Sequence, residues 1–528
     1  MMDVEIQGMK PQFVDVSGYG TLSAAALKKR TRVICTIGPS SWDVEMLGVL
    51  LEQGMNVARL NFSHGDHATH ARTIARLKEA LAKRPGLQCA VMLDTKGPEI
   101  RTGFFAGENE GGKIEFKAGE TLVLTTDYDY KSDGTKLACT YEKLPTSVKA
   151  GNQILVADGT LVLEVTGTAP EKGEVECLVM NTVAIGERKN MNLPGVHVDL
   201  PVLQPKDVKD LQDFGVPQNV DMVAASFVQS AADCEYIRKV LDDAGGSHIK
   251  IMSKIENQEG LDNFEAICDA CDSIMVARGD LGMEIPPEKV FRAQKMMIST
   301  CARLGKPVVV ATQMLESMIS NPRPTRAECS DVANAVLDGA DAVMLSGESA
   351  GGKWPKEAVA IMSRISVEAE EEYDFDAAYV KELELERKAH KTLSIVEATT
   401  AAAVNAAVTC GAKLIVVFAH TGATAALFAK YKCPIPVVVV TSHPEVARFC
   451  AGLISGVKVL LLPDHTRYGY QHESGEDEAA MVTEATKFAV VNGALANSDD
   501  VVCALHSYRI NSTKNVAMRF FKAGSACL

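Results

Sequence analysis

A pattern repeated between residues 28 and 372 constrains the fold of this chain more than any other feature. Eight times, a short apolar run ends abruptly in polar residues and is followed by a helical periodicity of roughly 15 to 25 residues. Eight strand-and-helix units predict an α/β protein built on a closed (β/α)8 TIM barrel. The predicted strands are residues 32–36, 56–60, 89–93, 221–225, 249–253, 273–277, 307–311 and 342–345.

The repeat is interrupted between its third and fourth strands. From residue 98 to 203, short alternating strands with Gly, Asp and Asn turns replace the long helices. This pattern predicts a small β-barrel domain inserted into a barrel loop, where it would act as a lid over the carboxyl ends of the strands. The barrel would then comprise residues 28–97 and 204–372, after an N-terminal arm of residues 1–27.

A charged linker after residue 372 leads into a second alternation of strands and helices. Its apolar runs occur at residues 412–418, 436–440, 457–462 and 500–505. They predict a C-terminal α/β domain, spanning residues 373–528, with a doubly wound sheet.

Charge and cysteine content argue against several classes of protein. The 54 Lys and Arg residues against 68 Asp and Glu residues give a net charge of −14, which disfavours a nucleic-acid or membrane-surface binder. No apolar run approaches the roughly 18 residues of a membrane span. Fourteen scattered cysteines are typical of reduced thiols, so we expect a cytoplasmic protein. The CxxC of Cys268 and Cys271 lies in a predicted helical spacer, with no second pair at zinc spacing.

The chemistry is expected where the fifth and sixth strands end. The fifth run closes with Lys254 and Glu256, and the sixth with Arg278 and Asp280. On adjacent parallel strands, Glu256 and Asp280 would offer two hard oxygen ligands, which is enough for Mg²⁺. Lys254 would lie on the same side of the strand as Glu256, where an ammonium suits a transferring phosphoryl group or an enolate. The alternative is a pair of surface carboxylates.

A second oxygen-rich group follows the second and third strands, with Arg59 and Arg101 on either side. Four such ligands with one formal charge suit a large monovalent cation, and capping or loop hydrogen bonds are the alternative role. Thr312, after the seventh strand, either places a hydroxyl over a reacting carbon or caps the following helix. The members of the oxygen-rich group are Asn61, Ser63, Asp94 and Thr95.

From about residue 28 to its end, the chain resembles the pyruvate kinase family. The resemblance implies that phosphoenolpyruvate donates its phosphoryl group to ADP, giving ATP and enolpyruvate, which is then protonated to pyruvate. The matching segments are TRVICTIGPSS, MNVARLNFSHG, MLDTKGPEIRTG, MNLPGVHVDLP, IMSKIENQEG, IMVARGDLGMEIP, VVVATQMLESMI, PTRAECSDVANAVLDGADAVMLSGESAGGKWP and FAHTGATA.

The resemblance also implies a role for each candidate residue. Lys254 would stabilise the phosphoryl group in flight, Arg59 would hold it, and Thr312 would lie near the face on which the enol is protonated. Glu256 and Asp280 would bind Mg²⁺ or Mn²⁺, and the oxygen-rich group would bind K⁺. The substrate contacts would come from Arg59, Lys254, Gly279, Asp280 and Thr312, and the nucleotide contacts from Asn61, His64, Arg101 and Lys189.

Glu99, in TKGPEIR, bears on the monovalent cation. In the family, Glu at this position marks potassium-dependent members, whereas Lys marks independent ones. We therefore expect potassium dependence, because a carboxylate here leaves a charge deficit that K⁺ would fill.

The C-terminal domain resembles the regulatory domain of the family. Thr421, Gly422 and Thr424 match a loop that holds an effector phosphate, and helix capping is the alternative role. The segment HSYRINSTKN, residues 506–515, is predicted to be a late loop, and it lacks the Gly and Pro residues of members activated by fructose 1,6-bisphosphate. With Arg509 and Lys514 left to supply charge, we expect a sugar monophosphate effector or none.

Two other classes of protein remain as alternatives. A metal-dependent lyase or aldolase of a related barrel type would use a similar Glu and Asp pair, but it would not need the lid. An inactive metabolite-sensing scaffold would be expected to have lost Lys254 or a metal carboxylate, and all three are present. The resemblance further implies a homotetramer.

Overall fold

The computed structural model describes residues 15–389, 392–462, 475–510 and 513–525. Its strands are β1 (Arg32–Thr36), β2 (Val57–Asn61), β3 (Ala90–Asp94), β4 (Ile100–Arg101), β5 (Lys113–Phe116), β6 (Thr121–Thr125), β7 (Lys136–Ala138), β8 (Gln153–Val156), β9 (Leu161–Ala169), β10 (Glu174–Val179), β11 (Val183–Gly186), β12 (Asn190–Asn192), β13 (Met222–Ala225), β14 (Lys250–Ile255), β15 (Ser273–Ala277), β16 (Val308–Ala311), β17 (Ala342–Leu345), β18 (Leu414–Phe418), β19 (Val437–Thr441), β20 (Val457–Leu461), β21 (Val501–Ile510) and β22 (Thr513–Lys522).

The helices begin with capping residues that their sequences supply. Ser230 and Asp233 form a capping box at one helix, and Thr325 and Glu328 form another. In chain order the helices are α1 (Ala24–Lys28), α2 (Val44–Gln53), α3 (His67–Ala82), α4 (Leu144–Ser147), α5 (Pro205–Lys209), α6 (Ala231–Asp243), α7 (Gln258–Asp262), α8 (Phe264–Ala270), α9 (Arg278–Glu284), α10 (Val290–Leu304), α11 (Arg326–Leu337), α12 (Gly347–Ala350), α13 (Pro355–Glu371), α14 (Phe375–Lys388), α15 (Ile395–Thr409), α16 (Ala423–Lys430), α17 (Pro444–Leu453) and α18 (Gly475–Val491).

Eight parallel strands close into a barrel in the order β1-β17-β16-β15-β14-β13-β3-β2. The predicted (β/α)8 barrel is therefore confirmed. Its strands are apolar on both faces because helices cover the outside and side chains fill the interior. Met92, Met252, Met275 and Met344 belong to one buried cluster, whereas alternate residues such as Val33 pack in the cluster that contains the helices.

The chain between β3 and β13 forms the predicted lid. Seven of its strands pair in the order β4-β12-β8-β9-β10-β6-β7, and β11 pairs with β5. An antiparallel bridge between Thr102 and Cys139, directly after the two edge strands β4 and β7, joins the edges of the seven-stranded sheet. The sheet is thereby curled into a small β-barrel with its own apolar core.

The C-terminal region forms a five-stranded sheet in the order β20-β19-β18-β21-β22, with β22 antiparallel to β21. The prediction of a loop at residues 506–515 is wrong, because β21 extends to Ile510 and β22 begins at Thr513. Polar residues on an edge hairpin do not show the apolar run that marks a buried strand. Arg509 pairs with Lys514 in this hairpin, and their side chains lie outside the described part of the chain.

The cysteines in the described part of the chain form no disulfide framework. The thirteen cysteines in the described ranges are free thiols. In the CxxC, Cys268 Sγ lies 3.8 Å from Cys301 Sγ, and Cys271 Sγ faces the carbonyl oxygen of Ser273. No helix in the described part of the chain combines the length and apolar character that a membrane span needs.

Candidate active site

The side chain of Lys254 lies at the centre of the candidate site. β14 extends through Lys254, which follows the buried Met252 by two residues and therefore points into the barrel. Its Nζ lies 3.1 Å from Asp94 Oδ1, 3.1 Å from Glu256 Oε1 and 2.8 Å from Ser226 Oγ. Burial opposes the charge of this ammonium, but Asp94 and Glu256 outweigh burial and raise the pKa of Lys254. The ammonium is therefore kept protonated.

Asp94 connects Lys254 to a second cation, the guanidinium of Arg59. Arg59 Nε donates to Asp94 Oδ2 at 2.6 Å, and Arg59 Nη1 donates to Thr36 Oγ1 at 2.8 Å. Burial would raise the pKa of Asp94, but Arg59 and Lys254 lower it. Two cations thus share one carboxylate, so Asp94 offsets only one of the two positive charges of Arg59 and Lys254.

Glu256 and Asp280 follow the adjacent strands β14 and β15. Glu256 Oε2 accepts a hydrogen bond from the backbone N–H of Phe227 at 2.7 Å. Burial raises the pKa of Glu256 to about 7, with Lys254 opposing the rise and the negative charge of Asp280 adding to it. Burial also raises the pKa of Asp280, against the effect of Lys254. The two carboxyl groups therefore disfavour each other's ionisation.

This pair of carboxylates fits a small divalent cation. Their repulsion is what a divalent cation would offset, and hard oxygen donors are the ligands that Mg²⁺ and Mn²⁺ take. The side chain of Asp280 forms no hydrogen bond with another described residue. Within the described ranges, no three His, Cys, Asp or Glu side chains form a ready metal cluster. The protein would thus supply two ligands, and substrate oxygens and water would supply the others.

The oxygen-rich group comes together at the ends of β2 and β3. The strand register places Asn61 opposite Asp94. Asn61 Oδ1 accepts the N–H of Ser63 at 3.1 Å, and Thr95 Oγ1 accepts the N–H of Ser226 at 3.1 Å. The loop hydrogen bonds proposed as the alternative role are therefore present. Each acceptor oxygen still carries a second lone pair that suits a monovalent cation.

The loop after β16 is held in an uncommon conformation. Thr312 has a φ of 70°, in the left-handed region that β-branched residues rarely adopt. Its Oγ1 accepts the N–H of Gly279 at 2.7 Å, and its carbonyl oxygen accepts a hydrogen bond from Arg278 at 2.7 Å. Arg278 also pairs with Asp331 at 2.8 Å, so it supports the loop. The residue that caps the next helical turn is Leu315, which argues against the capping role for Thr312.

Comparison with known proteins agrees with this geometry. Residues 28–359 match the model described as pyruvate kinase, barrel domain, and residues 397–517 match the model described as pyruvate kinase, alpha/beta domain. The chain belongs to the pyruvate kinase family. It is 52% identical to a pyruvate kinase of Eimeria tenella over 82% of this chain and 80% of that protein. It is 48% identical to a cytosolic isozyme of Glycine max over 96% of this chain and 97% of that protein.

A solved structure extends the comparison to three dimensions. A pyruvate kinase crystal structure from Cryptosporidium parvum is 44% identical and covers 96% of this chain and 99% of that chain, with a TM-score of 0.86. The barrel, the lid and the C-terminal sheet of this pyruvate kinase are therefore all part of the shared fold.

The lid side of the site presents further cations. Arg101 pairs with Glu99 Oε2 at 2.5 Å and donates to the carbonyl oxygen of Arg188 at 2.9 Å. Lys189 and His64 are exposed. The ion pair between Arg101 and Glu99 is a contact that the sequence did not predict.

Three residues with a structural role in the site were not assigned one from the sequence. Ser226 accepts the Lys254 N–H and donates to the carbonyl oxygen of Thr95 at 2.8 Å. Phe227, with a φ of 55°, aims its N–H at Glu256, and Thr36 accepts from the Arg59 guanidinium. The one sequence feature that could have indicated them is their position at the ends of barrel strands. Many residues without a role in the site occupy such positions.

The candidate effector loop begins α16. Gly422 has a φ of 83°, and a β-carbon there would lie 3.0 Å from Cys450 Sγ, so glycine is required. Thr421 Oγ1 accepts the N–H of Ala423 at 3.4 Å, and Thr424 lies in the first turn of the helix. This geometry suits a phosphate and also caps the helix, so both interpretations remain.

Proposed function

We infer that this protein transfers the phosphoryl group of phosphoenolpyruvate to ADP and releases pyruvate and ATP. Membership of the pyruvate kinase family, with Lys254, Glu256 and Asp280 together at the barrel mouth, carries this conclusion. Both substrates are polyanions, so cations must offset their repulsion before the two can approach in line. Lys254 and Arg59 are buried cations in the position to do so.

We propose that Lys254 and Arg59 bind the phosphoryl group as its bond to the enol oxygen breaks and its bond to the β-phosphate of ADP forms. Gly279 and Asp280 would orient phosphoenolpyruvate. The enol carbon then takes a proton on the face nearest Thr312. Arg101 and Lys189 of the lid, together with Asn61 and His64 of the barrel, would contact the nucleotide.

We further propose that Glu256 and Asp280 hold Mg²⁺ or Mn²⁺, which when bound supplies positive charge to the carboxylate and enolate oxygens of the substrate. Asn61, Ser63, Asp94 and Thr95 would hold K⁺. The fit of these donors to hard cations supports both assignments.

A coupled assay with lactate dehydrogenase tests the function. We expect NADH oxidation that depends on both phosphoenolpyruvate and ADP. A metal-dependent lyase or aldolase would turn over without ADP, and an inactive metabolite-sensing scaffold would bind phosphoenolpyruvate without turnover; either result would contradict the proposal.

We propose that the chain is divided into an arm (1–27), a barrel (28–97 and 204–372), a lid (98–203) and a regulatory domain (373–528), and that it works as a cytoplasmic homotetramer. The sheet boundaries support the division, and the plant relatives named as cytosolic isozymes support the location. Size measurement in solution would check the assembly.

For the effector, we propose a sugar monophosphate at Thr421, Gly422 and Thr424. The hairpin of β21 and β22, without Gly or Pro at residues 506–515, argues against fructose 1,6-bisphosphate. Hexose monophosphates are expected to activate at subsaturating phosphoenolpyruvate, and a Thr424→Ala variant should lose that response. Strong activation by the bisphosphate would overturn the assignment.

A further inference from the structure

A buried hydrogen bond crosses from the lid to the helix that carries a proposed metal ligand. Asp280 lies in the first turn of α9, and Glu284 ends the same helix. Glu284 is 9% exposed, and its Oε1 accepts a hydrogen bond from Asn192 Nδ2 at 3.0 Å. Asn192, which is 5% exposed, ends β12, the strand that leads out of the lid. The two side chains therefore join the lid to the barrel away from water.

A second part of the lid touches the same helix. Ala157, Asp158 and Gly159 adopt successive φ values of 55°, 54° and 76°, which form a tight left-handed turn. A β-carbon on Gly159 would lie 3.3 Å from the sulfur of Met283 in α9. Asn190 Nδ2 donates to Asp158 Oδ1 at 2.8 Å, so this turn is tied to β12. The turn and β12 thus contact α9 as one unit.

The contact belongs to the catalytic cleft rather than to the distant part of the lid. Glu284, Asn192, Asp280 and Glu99 line one cavity between the lid and the barrel. A buried acceptor that loses its donor carries the full penalty of desolvation, so the pair favours one position of the lid over others. Because α9 is only seven residues long, a shift at Glu284 moves Asp280 with it.

We propose that Glu284 is a positioning residue for phosphoryl transfer, which through Asn192 sets the lid against the helix that carries Asp280. The inference rests on the function proposed above. Helix α9 then has two linked roles. Asp280, in its first turn, orients phosphoenolpyruvate, and Glu284, at its other end, positions the lid that carries the nucleotide contacts.

Four variants test the hydrogen bond between Glu284 and Asn192. They are Glu284→Ala, Asn192→Ala, their double mutant and Glu284→Gln, whose amide oxygen can accept the same hydrogen bond. Asn181→Ala is the matched control, because Asn181 bonds only within the lid, to Thr160 and Val162. The measurements are kcat and KM for ADP, equilibrium binding of phosphoenolpyruvate with Mg²⁺, and hydrogen exchange at residues 157–159 and 190–193.

Each single alanine variant is expected to lower kcat/KM for ADP about tenfold, and the double mutant to lose less than the product of the two losses, since both single changes remove the hydrogen bond between Glu284 and Asn192. Glu284→Gln and the control should stay within about twofold of wild type, both in kcat/KM for ADP and in phosphoenolpyruvate binding. The alanine variants release the end of α9 opposite Asp280, so they should weaken phosphoenolpyruvate binding as well, but less than they lower kcat/KM for ADP. Exchange at both segments should speed up in the alanine variants alone.

Additive losses, a Glu284→Gln variant as impaired as Glu284→Ala, or unchanged exchange would overturn the inference. An inactive wild type would instead contradict the proposed function. In that case the exchange data would still decide whether Glu284 joins the lid to α9, so the two failures are distinguishable.

Discussion

Asp94 bonds to both of the cations proposed to act in catalysis. It is 1% exposed, and its two oxygens face Arg59 and Lys254 separately. Removal of either cation leaves part of this buried charge unpaired, which destabilises proteins by about 3 to 5 kcal/mol when a buried pair is broken. A variant at this centre must therefore be measured for stability as well as for turnover.

Lys254→Met is expected to bind phosphoenolpyruvate but to lose about two or more orders of magnitude in kcat, because the transferring phosphoryl group loses a preorganised cation. Steady-state kinetics, with thermal unfolding to confirm folding at the assay temperature, would check this. Lys239→Met, at an exposed helix position, is the control. Turnover close to wild type in a folded Lys254→Met protein would contradict the assigned role.

A glutamate at position 99 predicts that activity depends on K⁺. Activity is expected to be low in sodium or Tris buffers and to rise with added K⁺, and Glu99→Lys should weaken that dependence because its ammonium replaces the missing charge. Rates measured across a potassium titration, for wild type and variant side by side, provide the check. Full wild-type activity without K⁺ would refute it. Arg101 pairs with Glu99, so Arg101 variants would confound the comparison.

At the scale of single elements, the loop after β16 combines a strained backbone conformation with a position in the candidate site. Thr312 and Gln313 have φ values of 70° and 55°, a conformation that persists only when surrounding contacts enforce it. The guanidinium of Arg278 is one such contact, since it bonds to Thr312 and pairs with Asp331 on α11. Arg278 therefore holds Thr312 in this conformation.

Arg278→Ala is expected to lower kcat/KM for phosphoenolpyruvate about tenfold, because the loop loses the hydrogen bonds from Arg278 to the Thr312 carbonyl oxygen and the Met314 sulfur, each of roughly 1 kcal/mol. Arg278→Lys should recover little, since an ammonium cannot reproduce the planar fork. Asp331→Ala should shift the same constant in the same direction. If Arg278→Ala changed stability but left kcat/KM unaltered, the loop would not depend on Arg278.

At the scale of the whole molecule, two cations join the N-terminal arm and the barrel to the C-terminal domain. Arg32 donates to the carbonyl oxygen of Ile454 at 2.8 Å, and Lys458 on β20 donates to the carbonyl oxygen of Leu27. Burial, with Arg32 adding to it, lowers the pKa of Lys458 to about 7. The interface therefore contains a lysine that titrates near neutrality.

This titration predicts a pH dependence of stability. Between pH 7 and the ordinary lysine pKa of 10.5, the folded protein binds fewer protons at Lys458 than the unfolded chain, so the contribution of this residue to stability rises with pH. Relative to Lys458→Met, the wild type should gain free energy of unfolding from pH 7 to pH 10, as measured by denaturant titration. A difference that does not vary with pH would show that Lys458 keeps its usual pKa.

Much of the fold and of the site could be predicted from the sequence. The eight apolar runs specified the barrel, because parallel strands buried on both faces leave a continuous apolar signal. Glu256, Asp280 and Lys254 stood out because charges at the ends of such runs have few structural uses. The run at residues 500–505 predicted the start of β21, but the continuation of β21 to Ile510 and the strand β22 were missed. The polar residues at the end of this hairpin lack the apolar signal, and only pairing between the two strands makes them extended.

The tertiary structure alone decided how these residues act on one another. Asp94 and Lys254 are 160 positions apart in the chain, and Asn192 and Glu284 are 92 apart. Contacts of this kind depend on how the barrel closes and on the position of the lid. Local sequence periodicity carries no information about either. The sequence by itself determined which chemical groups stand at the strand ends. Closure of the barrel decided which of these charged groups lie close enough to form ion pairs.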